Sequence, residues 1–140
     1  MGGVLAVGLE RWVLGIGLLS MSALKIVDFV MPGIAARSGE VNSELLPASV
    51  LGGVAVAELL AGGCILCRRD RIGALIAVGL FSGFLAYTAF GMVVGRDHSS
   101  CGCLGRVDAP AWVYPTIALS GLLLSGDLLR QSVASGDPPD

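Results

Sequence analysis

Four cysteines carry the most distinctive chemistry of this chain, and they come as two close pairs, Cys64 with Cys67 and Cys101 with Cys103. Cys101-Gly102-Cys103 is the sharper pair. One intervening residue closes a very small ring, and Gly102 gives the backbone freedom to bend into it. Strained, exposed disulfides have high potentials and are the labile or catalytic ones. His98 precedes the pair, and Arg96 and Arg106 flank it, so nearby positive charge favours a reactive thiolate, with His98 a candidate base. Against this stands a structural staple or palmitoylation, although tiny rings make poor staples.

Cys64 and Cys67 have the spacing that places two sulfurs on one face of a helix, about 5 to 6 Å apart between Cβ atoms. Arg68 and Arg69 follow at once, while the partial negative charge of a helix C-terminus opposes them. Two readings stay open: a second reactive pair, or two small apolar residues packing in a core.

Among the charged residues inside apolar segments, Lys25 and Glu58 stand out. Such residues are costly in lipid and face the interior with partners. Glu58 reads as a protonated packing pin, for example on Tyr87, ahead of a proton acceptor for thiol chemistry or a partner for Lys25. Lys25 reads as snorkelling toward the headgroups, with Asp28 three residues on as its helical partner. No nucleophile, base and orienting acid form a triad. No Gly-rich phosphate loop is present.

The elements that must position these groups follow from composition. The chain has 140 residues, 54% hydrophobic and 14% charged, with mean hydropathy +0.81, whereas a soluble domain carries about a quarter charged residues. A net charge of −2 gives no basic surface for nucleic acid. Four apolar segments approach the roughly 20 residues that cross a bilayer: Trp12 to Met31, Leu46 to Cys67, Ile72 to Gly95, and Pro110 to near Arg130. The fold expected is an all-α, up-and-down bundle of four transmembrane helices over residues 1–131, with a polar tail over 132–140. Glycines and alanines four apart, Gly53, Ala57 and Ala61 in the second span and Gly79, Gly83, Gly91 and Gly95 in the third, predict close helix packing. A cleaved leader is disfavoured, because a basic n-region is missing and Glu10-Arg11 interrupts the start.

Arg11, Arg68, Arg69, Arg71 and Arg130 fall on one side, Arg37, Arg96 and Arg106 on the other. The positive-inside rule then puts the first group and both termini in the cytoplasm, with the Cys101 loop outside a bacterial-type inner membrane. The two cysteine pairs lie on opposite faces about 30 Å apart, too far for a bridge that needs Cα atoms within about 7 Å. Bridges form within a pair or between proteins. Passing electrons between the pairs would require a quinone or a large motion, and only apolar helix speaks for a quinone. No other cofactor and no metal site is indicated.

The Cys101-Gly102-Cys103-Leu104-Gly105 stretch between the last two spans resembles the Cys-x-Cys-Phe-Gly signature of the MauE branch of the MauE/DoxX redox-associated membrane proteins. Arg11, Gly15, Lys25 and Glu58 also fall where that family tends to carry Arg, Gly, Lys and Glu. Leu104 departs from the family's Phe, and Cys64 and Cys67 are not part of the signature. The resemblance implies disulfide exchange outside the membrane, with a thioredoxin-like partner and a periplasmic client such as methylamine dehydrogenase during its maturation. A different class of function competes with this one: a membrane transporter or handler of a soft metal ion, Hg(II), Cu(I) or Zn(II), using the paired thiols.

Overall fold

The computed structural model describes residues 2–30, 48–94, 110 and 112–134. These form four helices, α1 (Gly2–Val30), α2 (Ala48–Leu66), α3 (Asp70–Val93) and α4 (Val113–Ala134). The all-α, four-helix architecture matches the expectation. α1 begins ten residues before Trp12, and α4 continues to Ala134. Helices 2 and 3 are the two that are long and apolar enough to cross a bilayer, over Ser49–Leu66 and Asp70–Val93.

Each helix packs on its neighbour in chain order, and α4 closes on α1 along the thinnest seam. Matched contacts give the direction. Ser22 reaches Ala55, while Gly15 lies against Gly62 and Leu66, so α1 and α2 run antiparallel. Thr88 and Tyr114 line one crevice with Phe84, Ile117 and Ala118, and Phe81 meets Gly121 further along. This makes α3 and α4 antiparallel too. Gln131 Nε2 donates to Glu10 at 3.5 Å, which sets the end of α4 beside the start of α1.

The turn between α2 and α3 is three residues long, and its hydrogen bonds explain how it stops one helix and starts the next. Arg68 is left-handed at φ 64°. Arg69 N–H donates to Cys64 O at 2.8 Å and Arg68 N–H to Ile65 O at 3.3 Å, the paired closure of a Schellman motif. Glycine usually holds that left-handed position; arginine does so here at some steric cost. Asp70 then opens α3, where a carboxylate complements the helix dipole.

The distribution of residues is inverted relative to a water-soluble bundle. Large apolar side chains face outward on every helix: Ile16 and Val27 on α1, Val56 and Leu60 on α2, Leu75 and Phe90 on α3, Leu119 and Leu123 on α4. The interior instead holds Leu14, Leu18, Ile65, Phe81 and Leu128 among small residues, with Ser22, Lys25, Glu58, Asp70 and Ser125 buried beside them. Lipid tails are as apolar as leucine, so such a bundle is held by close packing and interior polar contacts rather than by water exclusion. Hydroxyls are kept off the lipid by their own helix, as Ser125 Oγ donates to Gly121 O at 2.7 Å and Ser20 Oγ to Ile16 O at 2.8 Å.

The close helix contacts are made by glycines other than the predicted stripes. A Cβ on Gly73 would lie 2.9 Å from both Ala61 O and Ile65 N, so the backbones of α2 and α3 touch there. Gly121 receives the Phe81 ring, and Gly62 receives Gly15 O and Leu19. Ala61 is fully buried, as its stripe predicts, but Gly53, Gly79 and Gly83 have open space where a Cβ would be. Spacing of four defines a face without saying which way the face turns. Gly95 lies outside the described residues.

Candidate functional site

The described residues contain two polar centres inside the bundle. The upper one joins Lys25 of α1 to Glu58 of α2 through Nζ and Oε1. Both side chains are dry, with 4% and 0% exposure. Antiparallel packing sets them at one level, and Ser22 Oγ, one turn before Lys25, donates to Ala55 O at 2.8 Å to fix the same seam. Lys25 Nζ also lies 5.3 Å from the centroid of Phe84, within the range of a cation–π contact. Phe84 meets Phe81 edge to face at 6.5 Å and 73°. Glu58 Oε2 accepts no hydrogen bond among the described residues.

This arrangement replaces two expectations. Glu58 takes Lys25 as its partner rather than Tyr87. Lys25 does not snorkel: at 6% exposure it turns inward. The reason is register. Ten residues of α2 precede Glu58 and five of α1 follow Lys25, so both fall within the interior, where an opposite charge across the seam is the best available partner. The side chain of Asp28 lies outside the described residues.

The lower centre joins Arg11 of α1 to Asp70, the first residue of α3. Asp70 is 7% exposed and Arg11 33%. The sequence offered Arg11 as an orienting charge and a family position, and did not single out Asp70. The signal for the pair was an acidic residue alone within Arg68, Arg69 and Arg71, at the start of a helix. Nearby, Gln131 Nε2 donates to Asp127 at 3.1 Å as well as to Glu10, which ties α4 to α1.

Cys64 and Cys67 occupy the last turn of α2 and the residue after it, and both are free thiols. Cys67 is exposed and Cys64 half-buried. Cys101, Cys103 and His98 lie outside the described residues. The helix ends that flank them, Val93 and Val113, are at the end of the bundle opposite Cys67. Among the described residues no group of three or more His, Cys, Asp or Glu side chains converges as a metal site.

Searches of curated proteins and of solved structures found no match to the chain. The family described as methylamine utilisation protein MauE matches residues 4–131, a stretch that includes all the charged pairs above and both cysteine pairs. The chain belongs to this MauE family of membrane proteins.

Proposed function

We propose that the chain is a small integral membrane thiol-redox protein that exchanges disulfides or electrons with thioredoxin-like or client proteins on the extracytoplasmic face, through Cys101-Gly102-Cys103. The observation that carries this reading is the extent of the family match, which runs from residue 4 to 131 and so takes in the Cys-Gly-Cys stretch together with the bundle. In this reading the chain serves methylamine utilisation by helping a periplasmic enzyme mature. All four helices cross the inner membrane, because α1 and α4 carry outward apolar faces like those of α2 and α3. Arg68, Arg69 and Arg71 are exposed at one end, and the positive-inside rule makes that end cytoplasmic.

The chemistry is ordinary thiol–disulfide exchange. A thiolate of the pair attacks a partner disulfide, the partner sulfur leaves, and the second thiol attacks the mixed disulfide to close the Cys101–Cys103 ring, or the sequence runs in reverse. The partner gains the two electrons that the pair loses. Lys25 and Glu58 serve the reaction by holding α1 against α2.

Cys103→Ser or Cys101→Ser in cells should trap a mixed disulfide with a thioredoxin-like protein or a client, which non-reducing gels and mass spectrometry identify. The wild-type pair should titrate above about −300 mV, the region below which structural bridges resist glutathione. Membrane-impermeant maleimide applied to intact, mildly reduced cells should label Cys101 or Cys103 and spare Cys64 and Cys67. A redox-inert outer pair ends the proposal, and stoichiometric soft-metal binding there replaces it with metal transport.

A further inference from the structure

The turn that ends α2 puts a second thiol pair on the arginine-rich end of the bundle, far from the Cys101 loop in sequence and independent of it. Cys64 lies in the last helical turn, and its carbonyl accepts the Arg69 N–H at 2.8 Å. Cys67 N–H donates to Gly63 O at 2.9 Å, so Cys67 completes the same turn. The two side chains stand three residues apart on one face, reduced, one exposed and the other half-buried. Around them Arg68, Arg69 and Arg71 are exposed. The acidic groups at this end are engaged elsewhere: Asp70 is buried against Arg11, while Glu10 and Asp127 meet Gln131 at the α1–α4 seam.

We infer that Cys64 and Cys67 form a dithiol centre that reduces small anionic disulfides, with Cys67 as the attacking and Cys64 as the resolving residue. Exposure assigns the roles, because an incoming disulfide reaches Cys67 first. Exposed guanidinium groups beside it select a substrate whose carboxylates they can meet. The Cys67 thiolate attacks one sulfur, the S–S bond of the substrate breaks, and one substrate thiolate departs and takes a proton. Cys64 then loses its proton and attacks Cys67 Sγ, which forms the Cys64–Cys67 bond and releases the second substrate thiolate. Two protein thiols are oxidised by two electrons, and one disulfide becomes two thiols.

Ring closure requires the Cβ atoms to move from about 5 to 6 Å, as on a regular helix, to about 3.5 to 4.5 Å. The chain leaves α-helical bonding immediately after Cys67, at the end of the turn that must tighten. Arg68 N–H bonds three residues back, at 3.3 Å to Ile65 O, and Arg68 itself is left-handed. Backbone adjustment is cheapest at such a terminus.

The test uses the full chain in detergent micelles with Cys101→Ser and Cys103→Ser in place, so that the outer pair cannot contribute, and glutathione disulfide as the probe. Intact mass should show loss of both remaining thiols with no glutathione retained. Adding Cys64→Ser should stop the reaction at a stable glutathione adduct on Cys67, and Cys67→Ser should slow it at least tenfold. Glutathione disulfide should outpace uncharged hydroxyethyl disulfide by about tenfold, an advantage lost in Arg68→Gln/Arg69→Gln. Unreacted thiols, equal permanent adducts on both cysteines without ring closure, or indifference to substrate charge would each overturn the inference. If a variant fails to fold, peptide mapping of the chain with all four cysteines intact keeps the test decisive, because it shows whether the new disulfide joins Cys64 to Cys67. A negative result here leaves the outer pair's proposed role standing, because that pair is absent from the assay.

Discussion

Lys25–Glu58 and Arg11–Asp70 each join a basic residue of α1 to a carboxylate of another helix. Residues 11 and 25 of α1 are 14 apart, which at about 1.5 Å per residue separates the pairs by roughly 21 Å along the bundle. The upper pair is dry on both sides, joins adjacent helices and is backed by an aromatic face. The lower pair is one-third exposed at its arginine, and it spans from α1 to α3, helices whose backbones do not pack directly on one another. The same charges therefore do different work. In the upper centre the loss of either partner strands a charge in a low-dielectric interior. In the lower one the arginine still reaches the bundle end, where solvent and headgroups screen it.

The most damaging way to break the upper centre is to remove one charge. Glu58→Gln leaves Lys25 uncompensated and should cost about 3–5 kcal/mol, seen as a lower midpoint in SDS unfolding from mild detergent. Lys25→Met combined with Glu58→Met should recover most of that loss, since a dry pair replaced by apolar residues is often neutral. If Glu58→Gln were harmless, the pair would be a contact of little consequence and the contrast with Arg11–Asp70 would fail.

The lower centre depends on how closely α3 starts against α2, which Gly73 sets three residues after Asp70. Gly73→Ala puts a methyl against Ala61 O and Ile65 N and should cost about 1–3 kcal/mol. Gly79→Ala on the same helix meets open space and should be neutral or slightly stabilising. Equal effects of the two would mean that α2 and α3 do not touch at Gly73.

Arg11→Met should cost less than Glu58→Gln, about 1 kcal/mol, and the loss should shrink as ionic strength rises, whereas the Glu58→Gln loss should not. Arg68→Gly should act in the opposite direction. It relieves a left-handed arginine in the turn that presents Asp70, for a gain of up to about 1 kcal/mol in the same unfolding assay.

Much of this architecture was legible in the chain. Apolar segments bounded by charges announced four helices, because a 1.5 Å rise and a fixed bilayer thickness leave few other solutions. Arg68 to Arg71 marked the α2–α3 turn within two residues, and Cys101-Gly102-Cys103 carried the family. Those are local signals, written in composition and spacing. The rotation of each helix about its axis was not local. Gly79 and Gly83 have the same spacing as a packing stripe and face outward, while the isolated Gly73 and Gly121 sit at the tightest contacts. In water, hydrophobic periodicity would have revealed the inward face; in lipid both faces are apolar, and that signal vanishes.

Partnership was hidden for the same reason. The sequence alone determined that Lys25 and Glu58 were costly and needed company. Only the tertiary structure decided that Lys25 turns inward to Glu58 and Arg11 reaches Asp70, because which opposite charge comes within reach is fixed by how the antiparallel helices slide and rotate against one another, a quantity that no single helix encodes.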